Sequence, residues 1–213
     1  MAYDYSDYWN NQYERRKKYY HNIYSSVISF YNIPSKEMIL DVGGGNGQLA
    51  NFFGAKKVFL VDISNSGLIF AKKHFKYKTK KLNFLGEWNI KKKFSCALCM
   101  EVLEHFKDPD KILKKISNIL KSGGVLYISV PNMKPDRQHH FNRIHLRKLK
   151  KILVKNNFII KDFIVVSRFQ KMKINSIKSF LYCVGFYFLG KFNLERKFPS
   201  ILGKFYHIKA IKK

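Results

Sequence analysis

"EMILDVGGGNGQLANFF", Glu37 to Phe53, is the stretch whose reading decides the fold. An apolar run suited to a buried strand ends near Asp41, glycines stand at positions 43, 44, 45 and 47, and "QLANFF" opens a helix. Such a loop lets backbone lie directly against a ligand, and the helix start turns its N–H groups toward it. Two patterns fit. Gly45, Gly47 and Ala50 satisfy the dinucleotide fingerprint G-x-G-x-x-A, while Asp41, Gly43, Gly45 and Gly47 satisfy D-x-G-x-G-x-G. A pyrophosphate at the helix start is repelled by a carboxylate at the strand end, whereas a ligand with a positively charged amino group and no phosphate accepts Asp41.

Working outward, "VFLVD" (Val58 to Asp62) reads as a second strand, with Ser64 as N-cap of the helix that follows. "LNFLG" from Leu82 reads as a weaker third strand and "FSCALCM" as a fourth. Asp108 as N-cap and Pro109 at the first helical position open a helix with Ile112, Leu113, Ile116, Ile119 and Leu120 on one face, stopped by Gly123 and Gly124. "VLYISV" is a fifth strand, a His- and Arg-rich loop leads to a helix bearing Leu146, Leu149, Ile152 and Leu153, and "FIIKDFIVV" and "FYHIKAI" are the last strands. Strands alternating with helices predict an α/β, doubly wound, mainly parallel sheet covered on both faces, whose ligand lies at the carboxyl ends of the strands.

The 213 residues predict a single domain. Its parts are a leading helical segment and lid over 1–33, with Tyr5, Trp9 and Tyr13 on one face, and a core over 34–213. The core carries a substrate-side loop near 131–145 and an insertion near 170–203. A hydrophobic fraction of 46% with 16% aromatics excludes a disordered class. The start "MAYDYSDYWNNQYERRKKYY" has no apolar core region, which predicts a cytoplasmic address. The apolar run Phe180 to Gly190 falls short of the about 20 residues a membrane span needs. Its lysine flanks leave shallow, peripheral membrane contact as a minor reading. Cys96 and Cys99 have C-x-x-C spacing but lie in an apolar run without a second ligand pair, so a core strand is expected there and no metal site. The 41 Lys+Arg against 14 Asp+Glu give +27, which fits an anionic partner or a solvated basic face.

Asp62 follows Gly43 by nineteen positions, a spacing suited to a carboxylate that binds the two hydroxyls of a ribose. Together with "GEWN", "CMEVLEHFKDP" and "LKSGGVLYISVPN", these segments resemble the class I S-adenosylmethionine-dependent methyltransferases, especially the group that includes the ubiquinone and menaquinone biosynthesis methyltransferases. The resemblance implies a Rossmann-like, seven-stranded sheet of order 3-2-1-4-5-7-6 with the seventh strand antiparallel, and S-adenosyl-L-methionine as cofactor. It implies that Gly43, Gly45 and Gly47 contact the methionine part, that Asp41 lies near its amino group, and that Asp62 holds the ribose with Ile63 beside the adenine. Gly86, Glu87 and Trp88 would flank the adenine, with Glu87 standing where Asp is commoner in the family. Met100 and Glu101 would lie beside the methionyl end.

Methyl transfer from a sulfonium needs mainly an in-line nucleophile, and a base only where that nucleophile must lose a proton. Candidate bases are His105, His139, His140 and His145, of which His140 is preferred and His105 comes second because it belongs to the "EVLEHF" signature and can instead brace its loop. By the same resemblance, amino methyltransferases acting on bases or glutamine often carry an N-P-P-Y motif after the fourth strand; Met100-Glu101-Val102-Leu103 stands there instead, which favours O- or C-methylation. The expected acceptor is a small molecule, a lipid-like compound or a saccharide. Alternatives are an RNA acceptor, motivated by the charge and by Arg137, Arg143, Arg147 and Lys148, and a non-catalytic adenosyl-binding protein.

Overall fold

Seven strands form one sheet in the computed structural model, which describes residues 17, 20–21, 24–132, 141–167 and 203–213. The strands are β1 (Ile39–Val42), β2 (Val58–Asp62), β3 (Lys78–Lys81), β4 (Phe94–Met100), β5 (Leu120–Pro131), β6 (Phe158–Ser167) and β7 (Gly203–Lys212). Their order is β3-β2-β1-β4-β5-β7-β6. All neighbours pair in parallel except β7, which runs antiparallel to both β5 and β6. The helices are α1 (Gln48–Phe52), α2 (Asn65–Phe75), α3 (Pro109–Ile119) and α4 (Leu146–Lys155). The expected α/β fold and strand order are therefore the ones observed.

Side-chain alternation along the strands divides the core into two layers. Leu40 and Val42 of β1, Ala97 and Cys99 of β4, and Tyr206, Ile208 and Ala210 of β7 face α3 and α4, which contribute Ile112, Leu113, Ile116, Leu146, Leu149 and Leu153. Ile39, Cys96, Leu98 and Phe205 point the other way, toward α1, α2 and the aromatic side chains Tyr20, Tyr24 and Tyr31. Cys96 and Cys99 thus lie on opposite faces of one strand, so they cannot grip one ion, and burial pushes both thiols up, Cys96 to about 12.

Two boundaries differ from the sequence reading. The third strand is Lys78–Lys81, not the apolar "LNFLG": Leu82 and Phe84 are buried from a turn in which Asn83 accepts from the N–H groups of Leu85 and Gly86. Their apolar character marks burial, while the lysines form a charged sheet edge of the kind that resists pairing with another chain. The helix expected to stop at Gly123 and Gly124 ends at Ile119, because Leu120 already pairs with Phe94 in the sheet. Gly123 (φ +75) instead takes the turn between that pair and the Cys96–Val125 pair. Asp108 holds the N-cap position of α3 without a side-chain capping bond and lies 3.7 Å from Lys111. Ser64 does cap α2, accepting from the Gly67 N–H at 3.3 Å.

Residues 20, 21 and 24 are helical and Ser25–Phe30 form a 3-10 turn, so the described part of the leading segment ends in a tighter helix than expected. Tyr5, Trp9, Tyr13, Arg137, His139, His140, Cys183, the insertion near 170–203 with its apolar run Phe180 to Gly190, and most of the substrate-side loop lie outside the described residues. No helix among the described residues is long and apolar enough to cross a membrane.

Candidate active site

The carboxyl ends of β1, β2, β4 and β5 bring the candidate residues to one edge of the sheet. The glycine loop turns away from β1 with Gly43, Gly45 and Gly47 all at positive φ (+69, +55 and +75), a backbone path that L side chains rarely adopt. Space is as tight as the conformation. A Cβ at Gly44 would stand 2.1 Å from the Asp41 carboxylate, and one at Gly43 would stand 2.6 Å from Val102 just beyond β4. Gly67 completes the cradle from α2, where a Cβ would meet the Gly45 carbonyl at 2.8 Å. Gly67 and Val102 escaped the sequence reading. A glycine inside a helix was the available signal for the first, and nothing local pointed to the second.

Asp62 fixes the loop. One carboxylate oxygen accepts from the Gly45 N–H at 2.8 Å and the other from the Ser64 N–H at 2.8 Å, which leaves each oxygen with further acceptor capacity. Burial raises its pKa and the N–H groups of Ser64, Gly45 and Ile63 pull it back, with burial prevailing. Asp41, 3% exposed, sits beneath Gly44. Burial first, and the Asp62 charge second, push its carboxyl up to about 7. Asn46 is also buried; its Oδ1 accepts from the Gln48 N–H at 3.2 Å, whereas its Nδ2 has no partner among the described residues.

At the end of β4, Met100 is buried, and Glu101 adopts φ +55 with its N–H bonded to the Ser129 carbonyl at 3.0 Å. The Tyr24 hydroxyl donates to the Glu101 carboxylate and lies 3.4 Å from Ser129 Oγ. Glu104, 1% exposed, is held well above the usual carboxylate range by burial and then by Glu101, and its Oε2 has no partner among the described residues. Its backbone carbonyl receives the N–H groups of Phe141 and Asn142, which ties the turn to the chain leading into α4.

The other candidates are placed as follows. His105 closes the 3-10 turn Leu103–His105 through its own N–H on the Val102 carbonyl at 3.1 Å and is half-buried. His145 holds the N-cap position of α4 without a side-chain capping bond. Ile63 is half-buried beside Asp62, and Gly86 and Glu87 are exposed. Trp88 is buried against Phe84, to whose carbonyl its indole N–H donates at 3.2 Å, with the Lys115 ammonium 5.9 Å from its ring centre. A histidine that sequence reasoning passed over, His207 on β7, is fully buried and bonded through Nδ1 to the Tyr31 hydroxyl. Burial pushes it down to about 3, so it is neutral at physiological pH. Only the pairing of His207 with Ser129 across β5 and β7 brings it to this edge, and no sequence spacing announces that pairing.

The donor set tests the implied cofactor. Asp41, Asp62, Glu101 and Glu104 gather at one edge of a chain that carries +27. A pyrophosphate against this cradle would face the Asp41 carboxyl beneath Gly44 with no counter-charge among the described residues, whereas a ligand bearing a sulfonium and an ammonium meets a group of the sign it needs; Asp62, as a ribose acceptor, suits either ligand. The residues fit S-adenosylmethionine.

Comparison with known proteins agrees. A family model described as a methyltransferase domain matches residues 13–162. The ubiquinone biosynthesis O-methyltransferase of Coxiella burnetii is 31% identical over 101 residues, 44% of this chain and 43% of that protein. The chain spans about half or less of the length of the curated relatives it matches. Among solved structures, a chain of the complex between the Haloferax volcanii Trm112 methyltransferase activator and a methyltransferase superposes with TM-score 0.73 at 13% identity, covering 100% of this chain and 99% of that one. An S-adenosylmethionine-dependent methyltransferase from Mesorhizobium loti gives 0.63 at 12% identity, over 90% and 98%. With a family model matched over more than half of its length and a sheet of this order, the chain belongs to the class I S-adenosylmethionine-dependent methyltransferases.

Proposed function

We propose that this chain is a cytoplasmic methyltransferase that carries out O- or C-methylation of a small-molecule, lipid-like or saccharide acceptor. The observation that carries the reading is the buried Asp41 carboxyl, with no counter-charge among the described residues, beneath a glycine cradle whose far side is fixed by Asp62. S-adenosylmethionine supplies a methyl group on a cationic sulfur, whose departure as a neutral thioether asks for no general acid. The chain's task is then placement. Asp41 would pair with the ligand's ammonium, the loop N–H and C=O groups would line its methionine part, and the open acceptor positions on Asp62 would receive the ribose hydroxyls. The relatives' printed name, ubiquinone biosynthesis O-methyltransferase, supports an oxygen nucleophile on a lipid-like precursor.

Calorimetry with S-adenosylmethionine, S-adenosylhomocysteine and NAD tests the cofactor, with binding of the two sulfur ligands and none of NAD expected. A labelled-methyl assay on cell extract split into lipid, glycan, RNA and protein fractions then identifies the acceptor class. Counts confined to protein, or binding of NAD alone, would end this reading.

An RNA acceptor is the second reading, and one observation favours it. Lys111, Lys114, Arg147, Lys148, Lys151 and Lys155 are exposed on α3 and α4, and Asp108 and Asp110, the acidic residues of that face, are both engaged by lysines. Association with RNA that collapses steeply between low and physiological salt supports it, while salt-insensitive methylation of a neutral small acceptor removes it.

A further inference from the structure

Residues 24–31 reach the active-site edge through Tyr24 and Tyr31. Tyr24 is fully buried; its ring meets Phe53 edge-on at 5.6 Å and His207 at 5.4 Å, and its hydroxyl donates to the Glu101 carboxylate. Tyr31 follows, stacked on Phe53 at 4.0 Å and bonded to His207. Apolar packing of rings sets how deeply such a segment docks but only loosely where it stops, whereas a hydroxyl bonded to a buried charge fixes its register. Glu101 is the other half of the contact. Its backbone lies in the left-handed region directly after β4, tied to β5 through the Ser129 carbonyl, so its side chain leaves the strand path toward Tyr24. A non-glycine residue keeps that conformation when its surroundings impose it, and such residues gather where a side chain must be aimed.

We propose that Tyr24 is a positioning residue of the cofactor site: by holding the Glu101 carboxylate at the methionyl end, it makes ordering of residues 24–31 against the sheet and binding of an adenosyl ligand one coupled event. The proposal rests on the methyltransferase reading above. Coupling follows because each event supplies what the other requires. A docked Tyr24 prepays the ordering of Glu101, and a cationic ligand beside Glu101 strengthens the charge to which Tyr24 donates.

The substitution Tyr24→Phe tests it, since it keeps the ring and its packing and removes only the hydroxyl. The probe is S-adenosylhomocysteine, followed by calorimetry and by hydrogen exchange of backbone amides over residues 24–31, where the Tyr31 N–H bonds to the Ile28 carbonyl. In the unaltered protein the ligand slows that exchange. In Tyr24→Phe the affinity falls about tenfold, the scale of a hydrogen bond to a charged group, and the ligand no longer slows exchange. Glu101→Gln gives the same two changes, and the double variant is no worse than the weaker single one, as expected of one shared contact. Independent, additive losses, or unchanged affinity and protection in Tyr24→Phe, overturn the proposal while leaving the function intact. An unaltered protein that fails to bind S-adenosylhomocysteine overturns the function, and this proposal with it.

Discussion

Replacing Asp41 by asparagine removes the buried carboxyl while nearly preserving its shape, and the consequences for stability and for ligand binding have opposite signs. In the folded, ligand-free protein burial and the Asp62 charge hold Asp41 at about 7, against an ordinary value of 3.8. A carboxyl whose folded pKa is raised contributes stability that is fully present below the unfolded value and is lost as pH rises through the folded one. At about 1.36 kcal/mol per pH unit, the interval from 3.8 to about 7 corresponds to about 4 kcal/mol, of which about 3 kcal/mol falls between pH 5 and pH 8. Asp41→Asn should therefore stabilise the ligand-free protein at pH 8 relative to the natural residue, with the advantage shrinking toward pH 5. Ligand binding runs the other way. Pairing with an ammonium requires the ionised form, so affinity for S-adenosylhomocysteine should improve about tenfold from pH 6 to pH 8 in the unaltered protein, and the part due to Asp41 should vanish in Asp41→Asn. Urea unfolding at several pH values, with and without ligand, reads both effects. If the two proteins show parallel stability profiles from pH 5 to pH 8, Asp41 is not a buried, uncompensated carboxyl and the electrostatic argument for the cofactor fails.

Three further outcomes bear on the same site. Asp62→Ala strands the Gly45 and Ser64 N–H groups and removes the ribose acceptor, so adenosyl affinity should fall by about 1.5 to 3 kcal/mol in calorimetry. Gly67→Ala places a methyl 2.8 Å from the Gly45 carbonyl, and overpacking of this kind should cost about 1 to 3 kcal/mol of stability and weaken ligand binding together; unchanged denaturant midpoints would show that α2 yields. His207 carries a pKa lowered by burial to about 3, so the folded state loses stability as pH falls from the ordinary 6.5 toward that value. His207→Phe should lose stability at pH 7, where the Tyr31 hydroxyl is left unsatisfied, yet flatten the acid limb of the stability profile below pH 6, measured by thermal unfolding.

The alternation of strands and helices, the glycine loop and Asp62 were legible in the amino-acid order because each depends on local rules: side-chain period, glycine's freedom at positive φ, and a carboxylate at a strand end; the segment after the fourth strand was legible only through its resemblance to a known family. The misread boundaries were places where tertiary pairing overrode local character, with Leu82 and Phe84 buried from a turn, four lysine-rich positions forming an edge strand, and Leu120 drawn into the sheet by Phe94. By itself, then, the sequence determined the α/β class, the cradle and the preference for a phosphate-free ligand. The tertiary structure alone decided that Tyr24 meets Glu101, that Gly67 closes on Gly45, and that His207 lies beside Ser129. Those pairs are 77, 22 and 78 positions apart in the chain, so no local spacing records them; they exist because parallel and antiparallel pairing gathers strand ends onto one edge.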